Sequence, residues 1–432
     1  MTWRETTQSD SHDQALLFRR WDWWTAGRLT AILARFQVDR INGEEYMSAQ
    51  VFTPRQMIER LVAFDTTSRE SNLELIHFVR DYLAGHGVES TLIHDKSGAK
   101  ANLFATVGPM IDGGVVLSGH TDVVPVDGQD WSSDPFQVDE REGRLYGRGT
   151  ADMKSFCAIA LALVPAMLER GLSLPIHFAL SYDEEVGCLG APDLSRHIQG
   201  LPCRPQALIV GEPTEMKVVN AHKGCCAIRT IVTGREGHSS ETHKGVNSIF
   251  AATELVQYLA NLAEDLKTSN VNERFDPPYT TVQVGTITGG TAGNIIPKET
   301  TFWWEYRALP DVDGAAIVAD FEAFATETVL PKMRAVHPES DIRITIRGEV
   351  IPLLPEDGSP AETLVLALTG SNQTYAVSYG TEAGLFQKGG IASVICGPGS
   401  ISVAHRPDEY IELSQVEACT EFMHKLIKHL AS

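Results

Sequence analysis

The chain has 432 residues, 43% of them apolar and 21% charged, with a formal charge of −20. That length suggests two domains rather than one simple core, and the acidic surplus argues against nucleic acid or an anionic membrane as the main partner. No run of about 18 apolar residues marks a membrane span, the first residues lack the order of a secretory signal, and seven cysteines without framework spacing fit the reduced thiols of a cytosolic protein.

Residues 1–46 hold Trp3, Trp21, Trp23 and Trp24, four of the seven tryptophans, beside Arg19 and Arg20. They read either as an amphipathic extension or as sequence ahead of a start at Met47, and the second is favoured because ordinary globular texture begins there. From Phe52 to about Gly87 the apolar spacing is helical. Strands follow at Asn102 to Val107 and Gly114 to Gly119, then an apolar helix from Lys154 to Leu168 that Pro165 should kink or end. Further strands are expected near Ile176, Ala207 and Val218. This alternation predicts an α/β domain with a mostly parallel, helix-covered sheet.

Near Gly224 the texture changes. A strand (Ala227 to Thr233), a long helix (Val246 to Leu266), strands near Thr280 to Thr286 and Thr301 to Ala308, a helix (Asp313 to Thr328) and a strand (Asp341 to Arg347) follow in turn. That β-α-β-β-α-β order is ferredoxin-like. Polar motifs resume only after it, so residues 225–349 read as a domain inserted into a larger one built from 47–224 and 350–432.

Four short apolar runs end in polar residues able to bind metal. They lead into His120 and Asp122, into Asp183-Glu184-Glu185, into Glu212, and through a Gly-Pro-Gly-Ser turn to His405. In an open α/β sheet such residues gather at the carboxyl ends of the strands. Asp152 stands between them in Gly147-Arg148-Gly149-Thr150-Ala151-Asp152-Met153-Lys154. Each has a plainer explanation by itself. His120 and Asp122 could be a surface pair, Asp152 could cap the helix that follows, and the three acids could form a solvated turn. Together they make the ligand and base inventory of a two-metal hydrolase, with one carboxylate left unligated to take a proton from water.

The strings Ser118-Gly119-His120-Thr121-Asp122-Val123-Val124-Pro125, Gly147 to Lys154 and Asp183-Glu184-Glu185 resemble those of the M20 zinc aminoacylase/peptidase family. Tyr379-Gly380-Thr381-Glu382-Ala383-Gly384, Gly397 to Ile401 and Ala404-His405-Arg406-Pro407-Asp408-Glu409 are similar to its acetylornithine deacetylase branch. The resemblance runs from Met47 to the C-terminus.

It implies two zinc ions, with cobalt or manganese as substitutes. His120 and Glu212 would hold one, Glu185 and His405 the other, and Asp152 would bridge them. Glu184 would be the general base and Asp122 the group that orients His120. A cis peptide is implied at Asp152–Met153. In the inserted lid and dimerisation domain, His238 would reach a partner subunit's site and stabilise the oxyanion. Asn294, Arg307 and Thr381 would contact substrate. The implied activity is deacetylation of N2-acetyl-L-ornithine in arginine synthesis by a cytoplasmic homodimer, acting on a small molecule and not on nucleic acid or membrane. Succinyl-diaminopimelate desuccinylase, another N-acyl-amino-acid deacylase and a dipeptidase are the sister alternatives. A catalytically inactive binding protein is the alternative of another class.

Overall fold

The structure, a computed structural model, describes residues 50–432 and the backbone of one antiparallel strand pair, Val38–Ile41 with Glu44–Met47. The remainder of the expected extension at 1–46 lies outside the described residues. The strands that build the two main sheets begin with β1 (Ser90–His94), β2 (Ala101–Val107), β3 (Val115–His120), β4 (Ile176–Ser181), β5 (Ala207–Pro213) and β6 (Val219–His222). Then come β7 (Gly224–Thr233), β8 (Thr281–Gly289), β9 (Glu299–Ala308), β10 (Asp341–Val350), β11 (Tyr375–Val377) and β12 (Ser393–Gly397).

Eight of these form one mixed sheet in the order β11-β6-β12-β5-β3-β4-β2-β1. Its four middle strands, β12, β5, β3 and β4, run parallel, and each is buried at every position. That is why they read as unbroken apolar runs: helices cover both faces. One face packs against helices α1 (Pro54–Val62), α2 (Leu73–Gly85) and α3 (Lys154–Ala162), with the C-terminal helix Leu413–Leu430 beside them. The opposite face buries Val116, Leu208 and Phe386 in a second cluster. The apolar helix does break near Pro165, where Leu163 separates α3 from a second helix, Val164–Arg170, with the proline in its first turn. The edge strand β1 pairs antiparallel with β2.

The remaining four strands form an antiparallel sheet ordered β8-β9-β7-β10, the ferredoxin-like arrangement. In β7 burial alternates residue by residue, since helices Ser248–Ser269 and Gly314–Phe324 pack on one side only. On the other side, Cys225 and Ala227 share a cleft with Glu184 and Glu185 of the large domain. Both sheets belong to one compact unit, Val51–Ser432. Among the described residues no helix is long and apolar enough to cross a membrane.

Candidate metal centre

The parallel strands deliver the polar residues to one edge. His120 ends β3, Asp183 to Glu185 follow β4, Glu212 is the next-to-last residue of β5, and His405 follows β12. Gly211 precedes Glu212 because a Cβ there would meet the ring of Phe156 at 2.0 Å. Asp152 stands ahead of α3, and the Asp152–Met153 peptide is cis. Asp152 does not cap that helix. The cap position is Met153, without a side-chain bond, and the Asp152 carboxylate turns toward two histidines instead.

His120 Nε2 lies 3.0 Å from Asp152 Oδ1 and 3.6 Å from Glu212 Oε1. His405 Nε2 lies 3.2 Å from Asp152 Oδ2 and 3.1 Å from Glu185 Oε2. Two donor groups result, His120-Asp152-Glu212 and Asp152-Glu185-His405, each with ligand atoms within 4.8 Å of one another. They share Asp152 through its two oxygens. Glu184 belongs to neither group.

His120 Nδ1–H donates to the main-chain oxygen of Asp122 at 2.9 Å, which fixes the ring and leaves Nε2 to face the carboxylates. The Asp122 carboxylate is farther from the ring, at 3.6 Å. Its close bonds are to the acidic loop: it accepts from Glu184 N at 3.0 Å, Glu185 N at 3.3 Å and Ser68 Oγ at 2.7 Å. Asp122 therefore orients the histidine through its backbone and the acidic loop through its side chain. Neither member is on the surface, since His120 and Asp122 are almost fully buried. Asp183 is no solvated turn either. It is buried, and Lys100 Nζ donates to its carboxylate.

Electrostatics show a buried surplus of negative charge. Burial and the Asp152 carboxylate hold Glu212 well above the usual carboxylate range, against the pull of His120. Burial and Asp152 push Glu185 up to about 7, against His405. Burial, Glu185, Glu382 and Asp152 raise Glu184, against His120. Asp152 falls below the usual range, because hydrogen bonds from His120 and His405 outweigh its burial. Among the described residues no lysine or arginine pairs with Asp152, Glu184, Glu185 or Glu212. Imidazole and carboxylate donors in overlapping groups, with too little fixed positive charge, fit divalent cations of the zinc, cobalt or manganese kind.

The donors open onto a cleft of about 640 Å³, lined by Glu184, Glu185 and His405 on one side and by Trp303, Arg307 and Arg347 of the small sheet on the other. Of the residues expected to act on substrate from the lid and its neighbouring loop, three stand outside that lining, namely His238, Asn294 and Thr381. His238 is exposed on a two-residue strand, its Nδ1 2.8 Å from Ser240 Oγ. Asn294 is exposed, and its main-chain oxygen accepts from Ser239 N. Thr381 is fully buried and accepts from Ala383 N at 3.1 Å, so it shapes the loop behind the cleft.

Nothing in the sequence by itself marks a role for Glu409 or Arg148, though both stand inside the motifs quoted above. Glu409 Oε1 accepts from the main-chain N–H groups of Gly149, Ala151 and Asp152, and Oε2 from Arg148 at 2.6 Å. The loop that carries the shared carboxylate is thus wrapped around a second one. Its only sequence signal was the charge of both residues beside metal-type motifs.

Residues 116–429 match the model for peptidase family M20/M25/M40. Acetylornithine deacetylase of Myxococcus xanthus is 35% identical over 387 residues, covering 87% of this chain and 97% of the relative. That of Proteus mirabilis is 35% identical over 381 residues, covering 87% and 95%. The M20 family metallo-carboxypeptidase Sso-CP2 from Sulfolobus solfataricus has a similar fold, with TM-score 0.71 at 16% identity over 88% of this chain and 99% of that one. Aminopeptidase PepT from Bacillus cereus gives 0.66 at 19%, over 88% and 98%. With its donor groups at the edge of the parallel strands, the chain belongs to peptidase family M20/M25/M40 and is a metal-dependent hydrolase.

Proposed function

We propose that this protein removes the acyl group from N-acylated L-amino acids, with N2-acetyl-L-ornithine as substrate and L-ornithine and acetate as products. The observation that carries the reading is Asp152, shared between two donor groups beside a carboxylate, Glu184, that belongs to neither. The name of the relatives supports the substrate. His120, Asp152 and Glu212 would hold one zinc ion, and Asp152, Glu185 and His405 a second, with cobalt or manganese able to take the same donors. Bound there, the cations supply Lewis acidity toward an amide carbonyl and make water more acidic.

The chain's own groups do the rest. Glu184 takes the proton of the attacking water and returns it to the leaving amine. The amide N–H groups of Glu184 and Glu185, held by Asp122, keep both carboxylates aimed at the cleft. Arg307 meets the substrate's carboxylate, with Thr381 fixing the loop opposite. His238 and Asn294, exposed and outside this cleft, serve the site of a second copy in a homodimer. There His238 stabilises the oxyanion, an effect of about 2.7–4 kcal/mol for one donor. Arginine synthesis in the cytoplasm is the setting this activity implies.

The test is acetate release from N2-acetyl-L-ornithine, run beside succinyl-diaminopimelate, other N-acyl amino acids and dipeptides. Activity should vanish on chelation, return with zinc, and be highest on acetylornithine. Metal-dependent activity highest on another member would overturn the substrate and keep the site. Silence across the panel would favour a binding role.

A further inference from the structure

The small sheet offers the cleft two arginines, and they are not equivalent. Arg307 Nε donates to Glu305 Oε1 at 3.3 Å, and the same oxygen accepts from Gln283 at 3.1 Å. Arg307 is therefore partly neutralised before substrate arrives. Arg347 is exposed and has no ion-pair or hydrogen-bond partner among the described residues, yet it lines the same cleft as Glu184, Glu185 and His405.

Its position is built rather than incidental. Along β7 and β10, Ala227 faces Gly348 and Ile228 faces Ile346, so Arg347 is the extra residue of a β-bulge. Bulges interrupt the ladder and re-aim the side chain they carry. The bulge is also pinned against the acidic loop. A Cβ on Gly187, whose φ is +111°, would lie 3.0 Å from the Cα of Gly348, and one on Gly348 would lie 3.4 Å from the Cα of Gly187. Gly187 is the residue that requires glycine there, by its positive φ and by the close approach, while a Cβ on Gly348 would make an ordinary contact. The approach brings the strand bearing Arg347 against the loop that carries the general base.

We propose that Arg347 is a further substrate-binding residue, sharing with Arg307 the α-carboxylate of the N-acyl amino acid beside Glu184. A free guanidinium offers a carboxylate two parallel N–H donors, and the second bond fixes orientation as well as affinity. The amide carbonyl next to that carboxylate is thereby presented toward the donor groups. The proposal rests on the deacylase reading and adds to it the residue that recognises the free acid.

The experiment compares N2-acetyl-L-ornithine with its α-carboxamide on the zinc-loaded enzyme, in wild type, Arg347→Gln and Arg347→Lys. Wild type should prefer the acid by about 30-fold in kcat/KM, the size of one charge-assisted hydrogen bond. Arg347→Gln should reduce that preference to about 3-fold, mostly through KM, and Arg347→Lys should restore part of it. Because Arg347 is exposed, an unchanged melting temperature would establish that the variants fold. A preference retained in Arg347→Gln would overturn the proposal and leave Arg307 as the sole anchor. Equal turnover of acid and amide by wild type would overturn it too while leaving the deacylase reading intact. If wild type cleaves neither compound nor any other N-acyl amino acid, the deacylase reading falls and takes this one with it.

Discussion

Glu184→Gln should lower kcat by about 10²–10⁴-fold, the usual contribution of a positioned general base, with the metal content unchanged. Glu184 lies outside both donor groups, so its loss removes no ligand. Glutamine keeps the volume and an acceptor oxygen, so Cys188 Sγ, 3.4 Å from Glu184 Oε1, retains a partner. The main-chain bond from Glu184 N to Asp122 is untouched as well. What glutamine cannot do is take the proton from water. Glu185→Gln is the contrasting variant. Its carboxylate belongs to the group around His405, so metal should be lost first and activity with it. Elemental analysis of both variants, read beside kcat at saturating substrate, separates the two roles. A Glu184→Gln enzyme turning over like wild type would move the base elsewhere.

The two variants also mark how far the sequence could be read. His120, Glu212 and the Asp183 to Glu185 loop were legible because each ends a strand buried at every position. An apolar run that stops at a polar residue shows where the sheet edge is. Asp152 was ambiguous, since an acid just ahead of a helix has the local pattern of a cap. Only the fold brings His120 and His405, both remote in sequence, against its two oxygens. The break near Pro165 was legible from one residue, because a proline in a helix interior removes a donor.

Long-range polar pairing was not legible. Arg148 and Glu409 are 261 residues apart, and Lys100 and Asp183 are 83 apart. No periodicity encodes such partners. The edge strand β1 was missed because it is only partly buried and shows no clean alternation. β10 was expected to end at Arg347 and runs to Val350. Gly348 reads in sequence as a strand end, but in the fold it completes a bulge.

The largest expected effect on stability is that of Glu409→Ala. Glu409 and Arg148 are each 1% exposed. Removing the carboxylate leaves the buried guanidinium without a counter-charge, facing Gln129 Oε1 at 2.6 Å, the Arg406 main-chain oxygen at 3.4 Å and the Trp131 ring at 5.1 Å. It also strips the acceptor from three backbone N–H groups, those of Gly149, Ala151 and Asp152, at 3.0, 2.8 and 3.1 Å. Breaking one side of a buried ion pair costs about 3–5 kcal/mol, since the remaining charge is left uncompensated. The metal-free protein should therefore melt roughly 5–10 °C lower. The loop freed by this change carries Asp152, the carboxylate common to both donor groups, so metal affinity should fall about 10–100-fold as well. Glu409→Gln is the graded control. Its carbonyl oxygen can still accept from the three N–H groups, while its amide faces Arg148 without a charge. It should keep more metal affinity than alanine and lose a comparable share of the ion-pair stability. Thermal melts of the metal-free proteins and zinc titrations of all three check both parts. Wild-type melting and affinity in Glu409→Ala would mean that the loop holds Asp152 in place without this carboxylate.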